Sequence, residues 1–154
     1  GWKLRCRVFG GMIVESVVWV LPLMAASHVT AMLFLTATQP AVSRFDSIMI
    51  GVGGGIYEEF VFHLIGIGLI MLIFATAFSL PKIPVAIVAV ILTAVLFAFS
   101  HTNIPPFRGN DPFTAADFAF RIVAAVCLGT LFILRGFGIA VGAHVMWNIY
   151  IFVM

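Results

Sequence analysis

The chain has 154 residues, 63% of them apolar and only 9% charged, with a mean hydropathy of +1.21. Water-soluble domains carry roughly a quarter charged residues, so 8 Lys and Arg with 6 Asp and Glu cannot coat a water-facing surface of this size. The 16 Phe exclude an intrinsically disordered chain. The net charge of +2, with Lys3, Arg5 and Arg7 gathered at one end, is too small and too local for a nucleic-acid partner. At about 20 residues per membrane-spanning helix, the length allows roughly five spans and no separate soluble domain. The expected fold is therefore all-α: a polytopic integral membrane helix bundle, residues 1–154 forming one membrane domain with the lipid bilayer as its partner.

The first apolar run, 12–35, reads as a spanning helix that tolerates Pro22 in the membrane. Residues 36–46 read as a short polar connection. The stretch 47–80 exceeds one span, so Gly51, Gly53, Gly54 and Gly55 mark a break or a close helix approach, with the span proper at 56–80 opening on Glu58 and Glu59. Residues 81–84 form a turn, with Pro84 suited to a first helical turn. A third span covers 85–100 and ends at His101. Residues 102–114, with Pro105, Pro106, Gly109 and Pro112, are a loop. A fourth span covers 115–134, residues 135–138 turn, and 139–154 make a fifth span. Because the sequence opens on Gly1 rather than Met, it is expected to be a piece of a longer chain. Neither Cys6 nor Cys127 implies a disulfide framework. Loop cations favour a cytoplasmic N-terminus: Lys3, Arg5, Arg7, Lys82 and Arg135 fall on one side, Arg44 and Arg108 on the other.

Ionisable groups inside spans cost several kcal/mol each and usually face a cavity. Glu58, Glu59 and His63 stand near the start of the second span, His101 ends the third, and His144 and Asn148 lie in the fifth. The second and third spans run antiparallel, so Glu58 and His101 share one layer. His144 starts from the opposite side and reaches that layer only if its helix begins deep or tilts. Glu59 and His63, Phe97 and His101, and His144 and Asn148 are each i,i+4 pairs on one helix face. A carboxylate can hold a water and take its proton, a histidine can share that water or bind a metal, and an amide can donate to a developing oxyanion. Asp117 and Arg121 are expected to form a structural ion pair, His28 to pack, and Glu15 to snorkel or pair.

Glu58-Glu59 with His63, Phe97-x-x-x-His101 and His144-x-x-x-Asn148 occur in that order, one motif per apolar segment. Together they resemble the three motifs of the CAAX-protease and bacteriocin-processing (ABI) family of intramembrane endopeptidases, over residues 46–154. The resemblance implies a multi-pass protein of a prokaryotic plasma membrane that cleaves a peptide or prenylated-protein substrate. It implies that Glu58 activates water, His101 shares that water, Glu59 and His63 orient the site, and His144 with Asn148 steady the oxyanion, Phe97 supporting. A zinc or similar divalent metal would need three or four ligands, which Glu58, His101 and His144 could begin to supply; a metal-free glutamate mechanism is equally compatible. His63 stands where the family usually has Arg. Either His63 keeps a pH-dependent pairing with Glu59, or Arg121 supplies the charge, or activity is impaired. The alternatives are a small carrier for protons or divalent cations, and an inactive scaffold that binds lipidated partners.

Overall fold

The computed structural model describes residues 6–33, 44–106, 109 and 113–153. Lys3, Arg5, most of the 36–46 connection, Arg108, Asn110 and Asp111 lie outside them. Among the described residues every regular element is helical. Four helices are long and apolar enough to cross a membrane: Cys6–Thr30, Ile48–Ala77, Lys82–Ser100 and Ala115–Arg135, with a shorter apolar fifth at Phe137–Ile151. Many large side chains point outward, among them Met32, Phe45, Ile83 and Leu134. Hydrocarbon is the solvent that accepts such a surface, because a spanning helix satisfies its own backbone hydrogen bonds.

The first span is two helices, α1 (Cys6–Val18) and α2 (Val20–Leu33), interrupted at Trp19. Pro22 explains the interruption: it has no N–H for the Val18 carbonyl, and its ring crowds that carbonyl. The span begins at Cys6, six residues earlier than the apolar run suggested.

The second span departs most from expectation. Its helix α3 starts as an α-helix over Arg44–Glu58 and continues without a break through the glycines. It then widens to a π-helix over Glu59–Ile67, makes one α-turn at Gly68–Ile70, and finishes as a π-helix over Met71–Ala77. Glu58 and Glu59 therefore lie in the middle of a long helix rather than at the start of a span. Single π segments inside α-helices are frequent at functional sites. Ser79 at φ 55 turns the chain into α4 (Lys82–Ser100), with Pro84 in its first turn. Helix α5 (Ala115–Arg135) is capped by Thr114, which accepts from the Asp117 N–H at 3.1 Å. Its end is set by Gly136 at φ 86, a value glycine adopts freely. Helix α6 (Phe137–Val153) follows at once, so the expected turn at 135–138 shrinks to one residue.

Helix α6 lies between α1 and the first half of α3, and small residues permit both approaches. On one face Gly138 and Gly142, four apart, receive Met12 and Ser16; a Cβ on Gly142 would overlap the Ser16 hydroxyl. On the other face Gly55 sits under His144 and Asn148, and Gly51, one turn earlier, takes a hydrogen bond from Asn148. An apolar core of Leu23, Leu128, Leu131, Ala140, Ala143 and Trp147 joins α2, α5 and α6. Arg135 clamps Glu15 through Nε and Nη2 at 2.5 and 2.7 Å, tying the end of α5 to α1. Glu15 is thus paired.

These contacts set opposite outcomes for two glycines. Gly142→Ala forces α1 from α6 and is expected to cost about 1–3 kcal/mol. Gly53→Ala, with nothing within 4 Å of its added carbon, is expected not to lower stability. Thermal unfolding of the two variants in the same detergent checks this; equal losses would mean that α1 is not docked through Gly142.

Candidate active site

Glu59 is fully buried and Glu58 partly so, and the two carboxylates divide the surrounding histidines between them. Glu59 Oε2 accepts from His63 Nδ1 at 2.6 Å, one turn along its own helix, and Oε1 accepts from His144 Nδ1 at 2.9 Å, across to α6. Glu58 Oε1 faces His101 Nε2 at 3.2 Å, and Oε2 faces the other nitrogen of His144 at 3.5 Å. His144 therefore bridges both acids. The layer expected for Glu58 and His101 exists, and His144 belongs to it because α6 starts directly after Gly136.

The histidines are held on their far sides. His101 Nδ1 donates to the Phe97 carbonyl at 2.9 Å, and the Phe97 ring lies 4.7 Å from the His101 ring and 6.2 Å from that of His144. His63 stacks near Phe132, and its Nε2 is buried with no hydrogen-bond partner among the described residues. His63 Nε2 packs against Gly129, where a Cβ would come to 3.3 Å. His63 itself thus fills the place where the family's Arg would pair with Glu59. Asn148 Nδ2 donates to the Gly51 carbonyl at 2.8 Å, which fixes its amide and leaves its second N–H for another acceptor.

Glu58, His101, His144 and Asn148 open on a chamber of about 460 Å³ whose other walls include Phe97, Phe120, Leu128 and Trp147, with Arg121 on its rim. A second cavity of about 420 Å³, lined by Tyr57, Val61, Phe62 and Ser100, meets the same Glu58 and His101 from behind. The pair lines both spaces.

Arg121 does not take the roles expected for it. The oxygens of Glu59 are engaged by His63 and His144, and the Asp117 carboxylate accepts from Thr114 Oγ1 at 2.6 Å as part of its helix cap instead of pairing with Arg121. Among the described residues no group of three or more His, Cys, Asp or Glu is arranged to hold a metal ion. Three contributors were not legible beforehand: the Gly51 carbonyl that anchors Asn148, Gly129 under His63, and the aromatic walls Phe120 and Trp147. None carries a polar signal, and only helix packing brings them to the site.

The helix bundle thus gathers two carboxylates and three histidines from α3, α6 and the turn that ends α4 into one cluster. Residues 39–150 match the family model described as Type II CAAX prenyl endopeptidase Rce1-like, and the chain belongs to that family. Neither curated proteins nor solved structures yield a match. Family membership makes the chain a CAAX-type membrane protease.

His101 stands one residue beyond its span. Burial works against its charged form, but the Glu58 hydrogen bond, the Phe97 carbonyl and the Glu58 charge outweigh burial and Arg121, and raise its pKa above the ordinary 6.5. A folded value above the unfolded one means that protonated His101 favours the fold. That contribution is complete below the ordinary value and is lost as pH rises through the raised one. The stability gap between wild type and His101→Gln is accordingly expected to narrow between about pH 5 and about pH 9. Thermal unfolding at the two ends checks this; a gap that widens with pH would reverse the assignment.

Proposed function

We propose that the protein hydrolyses a peptide bond of a membrane-associated substrate, such as a prenylated protein C-terminus, with Glu58 as the general base. The observation that carries this reading is the Glu58 carboxylate, held by histidines from two other helices and open to the chamber.

A water in the chamber beside Glu58 and His101 gives its proton to Glu58 as its oxygen bonds to the scissile carbonyl carbon. The carbonyl oxygen becomes an oxyanion. His144, steered by Glu59 through Nδ1, presents Nε2 to the chamber, and in its protonated form it donates there; the second Asn148 N–H lies on the same wall. Collapse of the tetrahedral intermediate breaks the carbon–nitrogen bond, and the proton held by Glu58 passes to the leaving amine. The products are one carboxylate and one amine, with one water consumed. Glu59 and His63 touch no reacting atom in this scheme. They position His144, and Phe97 positions His101 through its carbonyl and ring.

Every step uses a carboxylate, imidazoles and an amide that line one chamber, and no step passes through a metal. The carrier alternative draws on the same side chains with no observation of its own to favour it.

Purified protein in detergent is expected to cleave a prenylated peptide, with Glu58→Gln lowering kcat by a factor on the order of 10² to 10⁴ at unchanged unfolding temperature. A chelator is expected to leave cleavage intact. Full activity in Glu58→Gln would end the mechanism, and loss to the chelator would bring the metal back.

The orienting role of Glu59 generates a separate expectation. His63→Arg keeps Glu59 paired and retains activity, while His63→Ala frees one Glu59 oxygen and lowers kcat by roughly tenfold or more. Activity lost in His63→Arg but kept in His63→Ala would refute the pairing.

A further inference from the structure

We infer that Gly54 sets the room that the chamber leaves for the first residue past the scissile bond, its missing side chain admitting a bulky apolar residue there. This rests on the peptidase reading above and names the substrate position that the site measures.

Three successive glycines of α3 meet three different surroundings. Gly53 is exposed, and a Cβ there would find nothing within 4 Å, so it looks out into lipid. Gly55 is buried, and a Cβ there would press on the Asn148 amide at 3.1 Å. Gly54 is half-buried on the chamber wall, and the nearest atom to a Cβ there is Glu58 Oε1, at 3.9 Å. Glu58 follows one turn later on the same helix face. The helix thus offers bare backbone directly beside the catalytic carboxylate. An alanine would fit there at ordinary contact, and a longer side chain would extend into the chamber. Glycine weakens a helix interior relative to alanine. At Gly55 the approach of α6 accounts for it, whereas no neighbouring helix among the described residues crowds Gly54. What Gly54 provides is space.

The chemistry says which part of the substrate uses that space. The scissile carbonyl must be within reach of Glu58, His144 and Asn148 together, and these line the chamber of about 460 Å³. Of the three, the second cavity meets Glu58 alone. The residues flanking the cut therefore lie in the chamber. Glu58 hands its proton to the leaving amine, so it stands beside the nitrogen of the first residue past the cut. The side chain of that residue branches from the next atom, which brings it to the wall formed by Glu58's own helix at Gly54. The aromatic walls Phe97, Phe120 and Trp147 suit an apolar side chain of some size.

The test uses two farnesylated peptides that differ only in the first residue past the cut, Ala in one and Phe in the other. Gly54→Leu is expected to lower kcat/KM for the Phe peptide at least about tenfold more than for the Ala peptide, the discrimination that a filled apolar pocket gives. Gly54→Ala shifts the ratio the same way by less, and it carries the test if Gly54→Leu fails to fold. Gly53→Leu, one residue away and facing lipid, keeps the wild-type ratio. Equal losses on both peptides, no loss on either, or the same shift in Gly53→Leu would each overturn the inference. Binding separates it from the peptidase reading. Glu58→Gln, with and without Gly54→Leu, is titrated with fluorescent forms of the two peptides. Gly54→Leu is expected to weaken the Phe peptide selectively; an equal effect on both, or no binding of either, overturns the inference. If binding discriminates in this way but the wild type cleaves neither peptide, the role of Gly54 stands and the peptidase mechanism falls.

Discussion

The structure turns on a carboxylate with nowhere to go. Glu59 is completely buried in the centre of a membrane helix, where an unpaired charge would cost several kcal/mol at the least. Each of its oxygens is met by an imidazole nitrogen, at 2.6 Å from its own helix and 2.9 Å from α6. Those two bonds oblige α6 to approach α3 closely, and Gly55 is the residue that allows it. They also decide which nitrogen of His144 is left for chemistry. The bond that makes the charge bearable is therefore the bond that orients the His144 ring.

The neighbouring Glu58 is treated differently. It keeps partial exposure to two cavities and touches its histidines at the longer distances of 3.2 and 3.5 Å. Adjacent residues of the same type thus sit in different surroundings, and the change from α- to π-helix falls between them. A membrane bundle gains no hydrophobic drive from packing helix on helix. Close glycine contacts, the buried Glu59 network and the Arg135–Glu15 clamp carry the tertiary structure instead.

How much of this was legible in the residues follows from what each kind of signal encodes. Apolar length and loop punctuation gave the last three spans to within a few residues, because the bilayer imposes a length that composition must meet. They placed the starts of the first two well inside helices that begin at Cys6 and, for the apolar part of the second, at Ile48. The ends of the apolar runs were less informative. Cys6 to Gly11 are helical although the basic cluster begins just before them. Of the two readings open for the glycines at 51 to 55, a break or a close helix approach, the structure takes the second: the helix continues through them and Gly55 packs under His144 and Asn148. Glycine lowers helix propensity only modestly, and a helix in the bilayer has no water to offer its backbone groups as an alternative.

The polar residues of the site stood out in the sequence because charge is scarce in such a chain and its position there is costly. Glu58, Glu59, His63, His101, His144 and Asn148 were identifiable on that ground, and their order and i,i+4 spacing pointed to the family. What the sequence could not decide was who pairs with whom. The Asp117–Arg121 spacing suits an ion pair as well as Glu59–His63 suits a hydrogen bond, yet Asp117 turns to Thr114 while Glu59 takes His63. Spacing fixes only which residues share a helix face; partners across helices depend on approach distance and depth. Those are set by Gly55, Gly142 and the one-residue turn at Gly136, whose small size is visible in the sequence but whose neighbours are not.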